Sequence, residues 1–301
     1  MKPSPLTALL FPLLAITVSI ATCSAAEPLQ WKLAPGQSVN LQYEQTTTTL
    51  TTAAKKTKKT TSQLSVWVNW TVSAASPNEL PEGLKELPAG AVTISQKLLR
   101  VRVQATTDGN EVSYDTSLRS LPTGPAKEYA ASISPLMKPD AIQKFILTPQ
   151  GALLPLKAAT TTDEGNPSVA EMLLRSPAAL PATADQKTWE EKKSLATAIG
   201  QATHTLTYQL PEGSESSEGP ITIEMKGGLQ IAPESVKAKS SEIVKFSQSG
   251  KLRFSAQDGR LVESEQQTEL VTETPLREDK IRAEVKSQLT LKVSVGADTA
   301  Q

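Results

Sequence analysis

EIVKFSQSGKLRFSAQDGRLVESEQQTELVTE, residues 242–273, is the stretch that decides the fold. Two long segments of alternating polar and apolar residues meet at Asp258-Gly259, a dipeptide that strongly favours an antiparallel hairpin. With a three-residue loop, residues 257–259, and Gly259 as a left-handed bulge residue, the facing pairs are Phe254 with Val262, Arg253 with Glu263, and Lys251 with Glu265. Opposite charges across strands contribute roughly 0.2–1 kcal/mol per pair, so these charges favour the three-residue loop over a two-residue one.

The N-terminus has the pattern of an export signal. Lys2 supplies a basic start, residues 6–20 form an apolar stretch, and Ser24-Ala25-Ala26 fits the small-residue cleavage pattern. We therefore expect residues 1–26 to be a signal peptide, and the exported chain to be periplasmic or extracellular, without a transmembrane helix. A second possibility stays open, because residues 20–23 resemble a lipoprotein box in which Thr22 replaces the usual small residue. In that case Cys23 would carry a lipid anchor.

Composition excludes several kinds of active site. Cys23 is the one cysteine of the chain and His204 its one histidine, so nucleophile–histidine pairs, zinc clusters and thiol redox sites have almost no residues to use. The 31 basic and 31 acidic residues give a formal net charge of zero. We therefore expect no cofactor, no metal and no nucleic-acid partner.

Alternating patterns continue along the rest of the chain. Residues 38–75 predict a long hairpin with a lysine-rich tip at 55–59, in which Leu64 to Val72 alternate between two faces. At Asp108-Gly109 a two-residue loop fits best, because it places Val103 opposite Tyr114, Ala105 opposite Val112, and Arg102 opposite Asp115. Short helices are predicted at residues 125–134 and 166–175.

The order of motifs suggests two similar halves. Trp, Gly, an aromatic strand, a Thr-Ile strand and an Asp-Gly hairpin follow one another in residues 31–157 and again in 189–295. The predicted organisation is a first β-rich half (27–157), a Pro/Thr-rich connection with a short helix (158–188), a second β-rich half (189–295) and a disordered tail (296–301). The fold class is mainly β (α+β): antiparallel meander sheets in two similar halves, curved or half-barrel-like, with a few short helices on one face.

Each candidate site residue has a functional and a structural interpretation. Four aromatic residues could line a ligand cavity, or could be the large residues of the core: Tyr43, Trp70, Tyr114 and Tyr208. His204 lies on the apolar face of its strand, where a packed residue is commoner than a catalyst. The charges that flank Asp258-Gly259 form either a recognition face or a ladder on a solvated sheet, and the lysines of the first tip bind an anion or are simply solvated.

Several segments resemble an uncharacterised family of exported, β-rich bacterial proteins of the planctomycete type. The similar segments are Gly250 to Phe254, Asp258 to Ser264, Leu41 to Tyr43, Gly90 to Arg102, Tyr114-Asp115 and Thr148 to Gly151. The resemblance implies an envelope location and a β-rich body, and it implies no activity and no catalytic residues.

We therefore expect an exported, non-enzymatic protein of the cell envelope or periplasm that binds an unknown envelope protein or has a structural role. A periplasmic carrier of lipid or another apolar ligand is the alternative, and it requires an enclosed apolar cavity. A glycan hydrolase that uses two carboxylates is a remote third hypothesis.

Overall fold

The computed structural model describes eight stretches of the chain: residues 28–81, 84–118, 122–156, 177–196, 201–213, 219–232, 241–276 and 279–295. Four sequence predictions lie outside them: the signal peptide, lipidation at Cys23, the helix at 166–175 and the disordered tail. The described strands are β1 (Ser38–Ala53), β2 (Lys56–Ala74), β3 (Val92–Thr107), β4 (Asn110–Asp115), β5 (Gln143–Leu147), β6 (Leu153–Pro155), β7 (Thr188–Ala196), β8 (Gln201–Gln209), β9 (Ile221–Ile231), β10 (Glu242–Ser255), β11 (Arg260–Leu276) and β12 (Asp279–Val295).

All twelve strands belong to one antiparallel sheet. Its order is β6-β5-β3-β2-β1-β12-β11-β10-β9-β8-β7, and β4 pairs with residues 102–107 of β3. The mainly antiparallel β class is confirmed, but the halves do not form separate sheets. The reason is that β1 and β12, from opposite ends of the chain, pair from Val39–Val295 to Thr52–Arg282.

The local hairpin at Asp108-Gly109 has the predicted register. Val103 pairs with Tyr114, Ala105 with Val112, and Arg102 with Asp115. Asp108 (φ 49°) and Gly109 (φ 83°) are both left-handed, as a two-residue hairpin loop of the I′ type requires. The lysine-rich tip is likewise a two-residue turn, Ala54-Lys55, with φ of 46° and 66°.

For the hairpin at Asp258-Gly259, the predicted charge pairs are confirmed and the predicted loop length is wrong. Arg253 faces Glu263 and Lys251 faces Glu265, as predicted. However, Ser255 pairs with Arg260 and Phe254 with Leu261, so the loop has four residues and not three. Val262 is the extra residue of a bulge in β11, because the register shifts between Phe254 and Arg253. The bulge keeps both Phe254 and Leu261 buried while the charges beyond it remain paired.

Of the two predicted helices, the one at residues 125–134 lies within the described residues and is confirmed. The described residues contain one α-helix, α1 (Ala126–Ile133), which continues into a 3₁₀ helix at Ser134–Met137. Pro135 lies in the first turn of the 3₁₀ helix, where a missing N–H breaks no helical bond. Ile133 and Leu136 are buried and anchor this segment against the sheet.

One face of the sheet carries the core. We call it the core face; it is the face of Val39, Leu41 and Tyr43 on β1, and the opposite face is the back face. The core is richest at the base of the sheet, which is the end where β1 begins. It includes the fully or nearly fully buried residues Val66, Val68, Trp70, Ile94, Ile223, Leu252 and Phe254.

The N-terminal segment shows how strongly the sheet curves. β5 and β10 are six positions apart, which would separate them by about 29 Å in a flat sheet at ~4.8 Å per strand. Yet Trp31 N–H donates to Pro149 in the β5–β6 turn, and Lys32 N–H donates to Gly259 in the β10–β11 loop, both at 2.8 Å. The base of the sheet therefore bends until these two turns flank residues 31–32, and the predicted curvature is confirmed.

A second segment joins the two edges without closing the sheet. Leu180 N–H donates to Gln150 O (2.8 Å) beside β6, and Trp189 Nε1 on β7 donates to Ala179 O (3.1 Å). Trp31 Nε1 donates to Ala178 O (3.2 Å), which ties the same segment to the N-terminus. β6 and β7 remain the unpaired ends of the strand order, so the sheet is open.

The two halves do not place their shared motifs on equivalent strands. In the first half, β2 separates the tyrosine strand β1 from the Thr-Ile strand β3, whereas β8 and β9 are neighbours in the second half. The first Asp-Gly loop follows its Thr-Ile strand directly, and the second follows β10 instead. An internal duplication is therefore not shown, and the proposed domain bounds stay a prediction.

Candidate functional site

Three of the four aromatic candidates lie in the packed interior. Trp70 is fully buried and donates from Nε1 to Gln96 Oε1 (2.7 Å), and Tyr43 is 3% exposed. Tyr208 stacks on Trp189, and its hydroxyl donates to Glu191 (3.2 Å). Burial, with the neighbouring charge of Glu191, raises the pKa of Tyr208 far above its usual range, so this phenol stays neutral. That these aromatic residues line a ligand cavity stays a prediction.

Tyr114, the fourth candidate, is half-buried on β4 and packs against the edge of the core. Its pKa is raised by burial and by the charge of Asp115. It faces Val103 across the hairpin that the sequence predicted.

His204 belongs to a polar network on the core face. Its Nε2 donates to Gln248 Oε1 (2.7 Å), and its ring edge contacts Phe246 at 5.9 Å between centroids. Gln248 Nε2 continues the network by donating to Gln266 Oε1 (3.3 Å). Residue 227 on the intervening β9 is a glycine, and a Cβ there would lie 2.4 Å from Gln248 Oε1. The missing side chain therefore lets β8 and β10 bond across β9.

The charges that the sequence singled out form surface pairs. Arg253 and Glu263 are 3.5 Å apart, and both are partly exposed. In the lysine-rich tip, Lys58 lies 3.8 Å from Asp108 of the neighbouring hairpin. Exposed pairs of this kind contribute little to stability, typically ~0–1 kcal/mol.

One tighter charge cluster was missed by the sequence analysis. Arg100 on β3 donates from Nε and Nη2 to both carboxylate oxygens of Asp115 (3.0 and 2.6 Å), and its guanidinium lies 4.9 Å from the Trp67 ring centre. The bond from Arg100 lowers the pKa of Asp115 to about 2, and hydrogen bonds from Ser117 contribute. The sequence predicted Asp115 opposite Arg102. That backbone pairing is confirmed, but the carboxylate bonds to Arg100, which is two residues before Arg102 and therefore lies on the same face of β3.

A groove of about 480 Å³ lies on the back face, across β10, β11, β12 and β1. Two rows of directly paired residues form its floor. One row is Ser249, Gln267, Gln288 and Thr46, and the next is Ser247, Glu269, Lys286 and Thr48. Val271, on the same face of β11 just beyond Glu269, is only 2% exposed. The back face is therefore recessed at this point, although the core lies on the other side of the sheet.

The first row consists of neutral groups that point into solvent. Ser249, Gln267, Gln288 and Thr46 are all exposed. Within the described part of the chain, these four side chains have no hydrogen-bonding partner. Two amides and two hydroxyls are thus available as donors and acceptors in one line.

The second row carries charges that neutralise one another. Glu269 pairs with Lys245 and lies 3.8 Å from Lys286, whose Nζ is also 3.0 Å from Glu284. The bond from Lys245 lowers the pKa of Glu269, and the bond to Glu284 raises the pKa of Lys286. Both groups therefore stay charged near neutral pH.

Sequence analysis did not find this groove, since its residues come from both ends of the chain. Thr46 and Thr48 lie in the predicted hairpin of residues 38–75, where nothing in the sequence marks them as site residues. The available signal was the polar set of alternate positions on each of four strands, but the positions join into rows only when the β1–β12 pairing is known.

The described residues show neither a metal-ligand cluster nor a membrane-spanning helix. No group of three or more His, Cys, Asp or Glu side chains suited to a metal ion occurs among them. Within the same stretches, no helix has the length and apolar character needed to cross a membrane.

Comparison with known proteins does not identify a family for this chain. No protein-family model matches the chain, and no curated protein matches it. Among solved structures, the chain is similar to an outer membrane channel from Pseudomonas putida F1, with 9% sequence identity and a TM-score of 0.32 over 88% of this chain and 98% of that one. Because identity and TM-score are both this low, we base no functional argument on the similarity.

Proposed function

We propose that the protein is an exported, non-catalytic component of the cell envelope or periplasm that binds a polar ligand in the back-face groove. The observation that carries the proposal is the row of exposed amides and hydroxyls on the groove floor. Polar groups at defined positions in a recess fix the orientation of a bound ligand, and this groove offers four of them in one line. The export pattern of residues 1–26 supports the location.

The titratable groups near the groove favour binding over catalysis. Glu269 is the one carboxylate on the groove floor, and its pKa is lowered by Lys245. A general acid needs a raised carboxyl pKa, and a glycan hydrolase needs a second carboxylate across the cleft. His204 is bonded to Gln248 on the opposite face of the sheet, away from the groove.

The carrier hypothesis has less support than the groove. It requires an apolar cavity lined by the aromatic candidates, whereas Tyr43, Trp70 and Tyr208 are packed into the core. The groove itself is lined by Thr, Ser, Gln, Glu and Lys side chains, which do not suit an acyl chain.

The location is tested by mass spectrometry of the protein isolated from the envelope fraction of its host. A mature N-terminus at Glu27 is expected. A diacylated Cys23 would instead establish membrane anchoring, and an intact Met1 in the cytoplasmic fraction would refute export.

The binding site is tested by NMR during titration with size-fractionated extracts of the host envelope. We expect shifts of the side-chain amide signals of Gln267 and Gln288, and weaker binding in Gln267→Ala. Gln209→Ala is the matched control, because Gln209 is also an exposed glutamine on a strand but lies outside the groove. Equal losses in both variants, or shifts confined to other residues, would refute the groove as the site.

A further inference from the structure

We propose that the ligand of the back-face groove is an uncharged glycan chain that lies across the strands. This inference rests on the proposed function and specifies the chemical class of the ligand. It rests on three features of the groove. Its strands are paired with neighbouring strands, one row of its side chains is neutral and polar, and the charges of the other row are paired with opposite charges.

Three of the four strands beneath the groove have no free backbone edge for a peptide to pair with. β11, β12 and β1 are paired on both sides along the groove, and β10 is paired with β11 throughout it. Strand addition needs a free sheet edge, where main-chain groups supply the affinity. A ligand in this groove must therefore be recognised by side chains.

The neutral row suits a ligand that is dense in hydroxyl groups. Ser249, Gln267, Gln288 and Thr46 lie on four adjacent strands, so a ligand across them meets a polar side chain every ~4.8 Å over about 14 Å. That span is longer than one sugar ring. Each sugar hydroxyl both donates and accepts, as do the amides and hydroxyls of this row.

The charged row argues for an uncharged ligand. Glu269 lies between Lys245 and Lys286, and Lys286 lies between Glu269 and Glu284. Each charge is already paired with its opposite, so neither an anionic nor a cationic ligand finds an uncompensated partner there.

The groove floor contains no aromatic side chain on which a sugar could stack, so hydrogen bonds alone set the affinity. About four such bonds correspond to a Kd of order 1 mM. An affinity in this range suits repeated contacts along a polymeric glycan, where many weak sites act together.

The experiment is an NMR titration of the mature protein with four probes: neutral β-1,4-linked tetrasaccharides of glucose and of N-acetylglucosamine, the anionic tetragalacturonate, and a neutral Ser/Thr-rich peptide. We expect at least one neutral tetrasaccharide to shift the side-chain amides of Gln267 and Gln288. We also expect Gln267→Ala to weaken that binding by about 2- to 10-fold, which is the effect of one hydrogen bond, and Gln209→Ala to leave it unchanged.

The other outcomes separate the two proposals. If only tetragalacturonate or only the peptide shifts these amides, the glycan assignment is wrong and the groove still binds a ligand. If no probe shifts them but an envelope extract does, the glycan assignment is again wrong and the proposed function survives. If neither probes nor extracts shift them, both proposals are refuted.

Discussion

Gly151 lies where residues 177–181 contact the N-terminal segment at the base of the sheet, and its replacement by alanine should lower the stability of the protein. It lies in the β5–β6 turn with φ +86°, a left-handed conformation. A Cβ at this position would lie 2.0 Å from Ala178 O and 2.7 Å from Trp31 Nε1. These two atoms form the hydrogen bond that ties residues 177–181 to the N-terminal segment. Gly151→Ala must therefore displace one partner or both.

The expected loss of stability has two parts. An L-residue in the left-handed region is less stable by roughly 1–2 kcal/mol. Breaking the Trp31–Ala178 bond, in which both residues are buried, adds about 1–3 kcal/mol. Gly36→Ala isolates the first part, because Gly36 has φ +88° and its added Cβ would have no atom within 4 Å. Gly151→Ala should thus be about 1–3 kcal/mol less stable than Gly36→Ala.

Urea unfolding followed by tryptophan fluorescence measures both variants. Trp31 packs edge-on against Phe254 (5.7 Å) and beside Trp70 (6.5 Å), so its emission reports on the base of the sheet. Trp31→Phe loses ring packing in either background, but it should destabilise Gly151→Ala by less than it destabilises the wild type, since the indole hydrogen bond is already broken there. Equal stability of Gly151→Ala and Gly36→Ala, or full additivity of Gly151→Ala with Trp31→Phe, would refute the contact between Gly151 and the Trp31–Ala178 hydrogen bond.

Two further predictions concern the Arg100–Asp115 pair and the glycine on β9. Because Arg100 holds the pKa of Asp115 at about 2, below its usual ~3.9, the pair stabilises the fold fully above pH ~4 and loses that contribution as the pH falls toward 2. Allowing for solvent screening, the contribution is ~1–2 kcal/mol, so unfolding at pH 5 and pH 2.5 should show a smaller acid-induced loss in Asp115→Asn than in the wild type. Gly227→Ala should be less stable than Gly228→Ala in urea unfolding, because its Cβ would meet Gln248 whereas at Gly228 the space is open; equal stabilities would contradict this.

The sequence predicted what depends on near neighbours along the chain. The register at Asp108-Gly109 follows from two residues with left-handed φ and from side-chain pairs at most thirteen residues apart. The charge pairs around Asp258-Gly259 were predicted for the same reason. The loop itself was wrong because burial of both Phe254 and Leu261 outweighed a regular ladder, and only the tertiary contacts of those residues decide that.

The joining of the two halves into one sheet was not predicted, for a nonlocal reason. Alternation shows that β1 and β12 each have an apolar face, but it does not show that Leu41 faces Val293. The same limit hid the roles of Trp31 and of residues 177–181, whose hydrogen bonds join segments about 150 residues apart. Isolated hydrogen bonds of this kind leave no periodic pattern in the sequence.

The groove shows why a polar strand face is ambiguous when only one strand is considered. On β1 alone, Thr46 and Thr48 look like any solvated strand positions, and nothing distinguishes them from the threonines that follow. The pairing of β1 with β12 places them beside Gln288 and Lys286, so the polar faces of four strands form one surface. Polar residues that are unremarkable on each strand therefore become the proposed binding surface through the register of the strands. The same register pairs apolar residues such as Leu41 and Val293 on the core face, so the pairing that builds the core also builds the proposed site.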